Sequence, residues 1–103
     1  DGRANPNQLL LNDMNAVDIE GLRELLVATH EEHFTSSVDL LVGLQLTHSG
    51  RFARPNDKKR LEPIIAYRHP ILDRKLSIPE DAALLSDDAL DRLVEDFVRA
   101  AKL

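Results

Sequence analysis

Three sets of residues could do chemistry. The first is Gln45-Leu46-Thr47-His48-Ser49-Gly50-Arg51, in which an amide, an imidazole and a guanidinium follow an apolar run. A buried amide without a partner costs a few kcal/mol, so Gln45 near the end of that run calls for a hydrogen-bonding partner. A ligand meets that need as well as loop backbone does. The second is His30-Glu31-Glu32-His33. Its histidines stand three apart rather than the four of a zinc-protease helix, and the third ligand expected for zinc is missing. We assign no metal to it and read it as a solvated helix end. The third is Ser49 with His48 or His69 and Asp73. These residue types could form a nucleophilic triad, but no G-x-S-x-G elbow fixes them together. No catalytic residue is assigned within the chain. Neither a G-x-G-x-x-G fingerprint nor a P-loop is present.

Two helices and one strand are expected to position these groups. Residues 1–16 are rich in Asn and Asp and read as a loop. Gln8-Leu9-Leu10-Leu11 is either a short extended piece or a single turn. A helix is expected over 17–34, with Asn15 as N-cap and Asp18 imitating a capping box. Leu22, Leu25, Leu26 and Thr29 would form its buried face. Gly21 weakens the helix by up to about 1 kcal/mol relative to Ala, so it depends on packing. Thr35-Ser36-Ser37 ends it.

Residues 38–47 read as a parallel strand buried on both faces, because such strands are near-continuous apolar runs. Period two places Val38, Leu40, Val42, Leu44 and Leu46 on one face, and Asp39, Leu41, Gly43, Gln45 and Thr47 on the other. Gly43 leaves room for close approach by a ligand or a second backbone. In α/β proteins ligands bind at the C-terminal ends of parallel strands, which is where Gln45 falls. Residues 48–85 read as one long loop carrying Pro55, Pro63, Pro70 and Pro79, with Ile64-Ile65-Ala66-Tyr67 as a short extended or hairpin piece. A loop of that length is usually functional or partly ordered. The last helix is expected over 86–102. Ser86 caps it, Asp87 and Asp88 favour its N-terminal dipole, and Leu90, Leu93, Val94, Phe97, Val98 and Ala101 make its apolar stripe.

The order helix, parallel strand, long loop, helix is one unit of an alternating α/β pattern. One strand has no ladder partner, so the expectation is a piece of a larger α/β protein, or a homo-oligomer formed through the unpaired strand edges. The chain has 103 residues, begins with Asp1 rather than Met, and is read as processed or a fragment. It has no cysteine, hence no disulfide framework and no thiolate chemistry. A net charge of -5 argues against nucleic acid, and Lys58-Lys59-Arg60 reads as a solvated loop. No stretch approaches the roughly 18 apolar residues of a membrane span. A cytoplasmic location is the matching expectation.

Gln45-Leu46-Thr47-His48-Ser49-Gly50-Arg51 resembles the Q-L-x-H-x-G-R motif of the Old Yellow Enzyme family, the NADH:flavin oxidoreductases. Phe97-Val98-Arg99-Ala100-Ala101 is similar to the F-x-x-A-A end of that family's next helix, and Asp1-Gly2-Arg3 to the loop after its preceding strand. Ser49 departs from the Ala often found at its position. The resemblance implies a segment of a (β/α)8 TIM barrel, roughly two-fifths of a typical ~250-residue barrel, around its third strand. It implies FMN as cofactor and NADH or NADPH as reductant, with hydride passed through the flavin to an activated alkene or similar small-molecule acceptor. Gln45 would contact the pyrimidine part of the flavin, while His48 and Arg51 would order the turn. The family's substrate-binding His-His or His-Asn pair, its proton-donor tyrosine and its FMN-phosphate site fall in segments this chain does not carry. Tyr67 is not in the tyrosine motif. The rival expectation is a non-catalytic α/β fragment or interaction module that binds no cofactor.

Overall fold

The computed structural model describes residues 1–103. Three α-helices carry the regular structure: α1 (Ala16–Phe34), α2 (Pro70–Lys75) and α3 (Asp87–Ala100), with a 3-10 turn at Gly50–Phe52. The molecule is elongated, with principal extents of 57 × 28 × 23 Å. No helix packs against another. No helix is long and apolar enough to cross a membrane.

The α/β barrel-segment expectation is overturned. The chain is 41% helical and contains neither a strand nor a sheet. Residues 38–47, expected as a parallel strand, have no regular structure. The cause is the missing ladder. Strand structure is a property of a hydrogen-bonded pair, and no backbone N–H from Leu41 to His48 donates to another backbone group. The segment begins at a turn closed by the Leu40 N–H on the Ser37 carbonyl (3.0 Å). The expected burial also fails: Val38 is 96% exposed and Leu41 95%. A trace of the alternation survives, since Leu40, Val42 and Leu46 are half-buried while Asp39, Leu41, Gly43, Gln45 and Thr47 are exposed.

Only six of the 103 residues are buried, and five of them lie between Arg51 and Ile78. They are Arg51, Ala53, Pro55, Ile65 and Ile78; the sixth is Gly2. The stretch expected as a long loop thus holds the small core. It is also more ordered than expected, because it contains the 3-10 turn and α2. Ile65, in the expected extended piece, forms a single parallel bridge with Leu84. The Leu85 N–H donates to the Ile65 carbonyl at 2.8 Å. α2 starts where Pro70 occupies its first turn and the His69 Nδ1 accepts from the Leu72 N–H at 3.3 Å. Proline suits that position because its missing N–H would have had no helical partner.

The two long helices form close to the expected bounds, but their apolar residues are little covered. α1 buries no residue, and Leu22, Leu25 and Leu26 are exposed. Asn15 stands at the N-cap position of α1 without capping it. Its side chain turns back instead, accepting from the Asn12 N–H at 2.9 Å and donating to the Leu10 carbonyl. The helix ends at Thr35, whose φ of 67° puts a β-branched residue in the left-handed region, with its N–H on the Glu31 carbonyl.

α3 is capped as expected: the Ser86 Oγ accepts from the Ala89 N–H at 3.2 Å, and Asp87 and Asp88 fill the first turn. Its Val94 and Val98 are exposed. A helix with so little tertiary cover depends on its own ends. Ser86→Ala is therefore expected to destabilise α3 by about 1 kcal/mol, read as lost far-ultraviolet helicity and a lower thermal midpoint. Unchanged helicity would mean that the cap is not supporting the helix.

Candidate functional site

The site is built outward from Gly50. Its φ is +53°, a left-handed conformation that costs residues with a side chain roughly 1–2 kcal/mol. This turn reverses the chain after Thr47. The His48 Nδ1 accepts from the Gly50 N–H at 3.1 Å. The Gly50 carbonyl accepts from both Ala53 (3.1 Å) and Ile64 (3.0 Å). The Ser49 N–H donates to the Gly2 carbonyl at 2.7 Å, and the Arg54 N–H to the Arg3 carbonyl at 2.9 Å. The N-terminal residues therefore run alongside the turn. Gly2 is buried against the imidazole of His48, where an added Cβ would stand 2.0 Å from the ring. A larger residue there requires the His48 ring to move.

Arg51 locks the turn to α2. Its side chain is 9% exposed, and its Nε donates to the Asp73 Oδ1 at 3.0 Å. One terminal nitrogen donates to the Tyr67 carbonyl at 2.7 Å, and the guanidinium lies 5.1 Å from the centre of the Tyr67 ring. The second Asp73 oxygen accepts from the His69 N–H at 3.0 Å. Burial alone would raise the Asp73 carboxyl, but the His69 amide and the Arg51 guanidinium outweigh it and hold the group below its ordinary range. His48 is also shifted downwards, first by burial and second by the positive α-amino group of Asp1. A neutral imidazole whose Nδ1 accepts a hydrogen bond carries its proton on Nε2.

A cleft of about 620 Å³ opens beside the turn, within the size range of small-molecule sites. Leu44 to His48 form one wall, and Leu93, Phe97 and Ala100 of α3 another. Residues 1–3 and 8–13 close the rest, with Ile19 of α1. Arg99 of α3 pairs with Asp13 across the rim. Gln45 lines this cleft and is exposed in it. The expectation of a buried amide thus fails, and with it the desolvation argument that demanded a partner. What remains is a solvated carboxamide that lines the cleft together with Leu93, Phe97 and Ala100 of α3.

The other constellations considered have the following places. No three His, Asp or Glu side chains converge as a metal site. His33 Nδ1 lies 2.9 Å from the Thr29 carbonyl, and His30 packs on Phe34 with ring centres 4.6 Å apart. The residues considered for a triad have other partners: Asp73 holds Arg51, His69 caps α2 and His48 binds Gly50. In the basic cluster, Arg60 is tied to Glu62 at 2.7 Å. Sequence reasoning missed Asp73 as the partner of Arg51, and Gly2 as the neighbour of His48.

Two outcomes follow from this turn. Gly50→Ala is expected to destabilise the chain by about 1–2 kcal/mol, visible as a lower thermal midpoint; an unchanged midpoint would show that the left-handed turn is not required. Acid is expected to loosen the turn in two stages. Both groups bind protons less readily when folded, so their stabilising effect is complete above their unfolded titrations, near 6.5 for histidine and about 4 for aspartate. It is lost as pH falls through the lower folded values, first for His48 and then for Asp73. Hydrogen exchange at the Gly50 and Ile64 amides, corrected for intrinsic pH dependence, should accelerate over those two ranges, and flat protection would refute the assignment. No family model, curated protein or solved structure matches this chain, so its function has to be argued from this geometry.

Proposed function

We propose that the chain supplies one edge of a flavin site in an FMN-dependent oxidoreductase. The supporting observation is Gln45, a solvated carboxamide inside a 620 Å³ cleft, three residues before a turn built by His48, Gly50 and Arg51. The residues present fit part of FMN. A carboxamide offers an acceptor and two donors, which match the alternating N–H and C=O groups of the flavin's pyrimidine edge. Phe97 and Leu93 give the cleft an apolar wall suited to a planar ring. The phosphate end is not assigned to this chain, because both guanidinium groups at the cleft are held by carboxylates, Arg3 by Asp1 and Arg99 by Asp13.

When bound, FMN would supply hydride transfer from NADH or NADPH to an activated alkene or similar acceptor. The contribution of this chain is binding and orientation. Gln45 holds the ring edge, and the apolar stripe of α3 excludes water from one side. No residue here is assigned to proton transfer.

A second reading has its own support. Val38, Leu41 and Leu44 are exposed, as are Leu22, Leu25 and Leu26 of α1 and Val94 and Val98 of α3, and exposed apolar surface of this kind marks interaction sites. On that reading the chain is a non-catalytic interaction module that binds no cofactor. Titration with FMN, followed by quenching of flavin fluorescence, separates the two. The flavin reading expects saturable quenching by the chain. It also expects Gln45→Leu to weaken binding about ten-fold, the equivalent of one or two hydrogen bonds. No saturable quenching would leave the interaction module, and saturable quenching unchanged by Gln45→Leu would remove Gln45 from the flavin site.

A further inference from the structure

The segment Leu41–His48 donates no backbone hydrogen bond to other backbone groups. It has no ladder of its own, so its course is set by its two ends. The upstream end is the Ser37–Leu40 turn, tied to α1 by Ser37 on Glu31 and by Asp39 beside His30. The downstream end is tied down, by the Ser49 N–H on the Gly2 carbonyl and by the Gly50 carbonyl under Ala53 and Ile64. Gln45 lies nearer this second end. The turn itself rests on one buried charge, Arg51, whose partners Asp73 and the Tyr67 carbonyl lie 22 and 16 residues further along the chain.

We propose that Arg51 and Asp73 are a positioning pair for Gln45: their ion pair fixes the Gly50–Phe52 turn against α2 and so sets where the carboxamide stands in the cleft. Neither residue lines the cleft, so both act through the turn. A guanidinium at this site must satisfy a carboxylate and a carbonyl in fixed directions, and Lys cannot reproduce that fork. The Asp73 carboxylate likewise bridges two elements, taking Arg51 on one oxygen and the His69 amide on the other. Loss of its charge leaves the guanidinium with the Tyr67 carbonyl and ring alone. The turn can then swing, carrying the unladdered segment with it.

The proposal deepens the flavin reading, and rests on it only in its ligand arm. The test compares the ¹⁵N-labelled 103-residue chain with Asp73→Asn, which keeps the shape, and Arg51→Lys, which keeps the charge. Arg23→Ala, which removes the exposed α1 pair with Glu20, is the control. Both hub variants are expected to move the side-chain and backbone amide resonances of Gln45, along with those of His48 and Gly50. The control leaves them in place. Changes confined to Tyr67–Leu76, with Gln45 unmoved, would overturn the proposal. Should Asp73→Asn lose dispersed resonances altogether, Arg51→Lys carries the same comparison.

In the ligand arm, FMN affinity is expected to fall about five-fold or more in the hub variants, a typical size for coupling between separate sites. Equal FMN affinity in wild type and variants would defeat the positioning role and leave the flavin reading standing. A wild-type chain that shows no FMN binding, but whose Gln45 resonances move in the variants, would defeat the flavin reading and leave the positioning role standing.

Discussion

Arg51 is a permanent charge with 9% of its side chain exposed. A cation withdrawn from water is tolerated only when fully paired, and this requirement organises the ordered part of the chain. Asp73, the Tyr67 carbonyl and the Tyr67 ring must all converge on it. To reach it, the chain between Pro55 and α2 has to fold back over the 3-10 turn, which brings Ile65 and Ile78 to the small core. The same folding brings Leu84 beside Ile65 and delivers α3 to the cleft. Gly50 and Gly2 are the geometric conditions of that arrangement. The first supplies the left-handed turn, and the second leaves space for the His48 ring.

The burial pattern inverts what hydrophobic periodicity suggests. The apolar residues of α1, the apolar stripe of α3 and the run from Leu40 to Leu46 call most strongly for burial, yet none of them is more than half-buried. The proline-rich connection, which reads as loop, carries the core. Periodicity reports a demand for burial and says nothing of what meets it. A helix survives without cover because its hydrogen bonds are internal. α1 and α3 therefore form where the pattern of Leu and Val residues and the Ser86 cap place them. A strand has no such internal bonding. The run with the strongest strand signature lost its regular structure because this chain contains nothing to pair with it.

The candidate site was legible to a similar, uneven degree. The spacing of Gln45, His48, Gly50 and Arg51 marks a turn with chemistry beside it, and the structure gives three of those four residues a place in that turn. The identity of Arg51's partner was not legible, because a pairing 22 residues apart depends on the course of a loop that no local pattern fixes. Gln45 was misjudged in one respect. It was expected to be buried because its neighbours are apolar, but Leu44 is itself exposed and Leu46 only half-buried.

That leaves Gln45 as the residue on which the two functional readings part. A surface meant only to stick to another protein gains from continuous apolar area, at about 25 cal/mol for each Å² removed from water. An amide in the middle of Leu44-Gln45-Leu46 works against that gain, because its own hydrogen bonds must be replaced when it is covered. A ligand edge with matching donors and acceptors makes the same replacement favourable. The flanking leucines then exclude water, and the amide selects the ligand. The apolar exposure of the run suits either reading, whereas the amide, near the tied end of an otherwise unladdered segment, is the feature that favours the proposed ligand site.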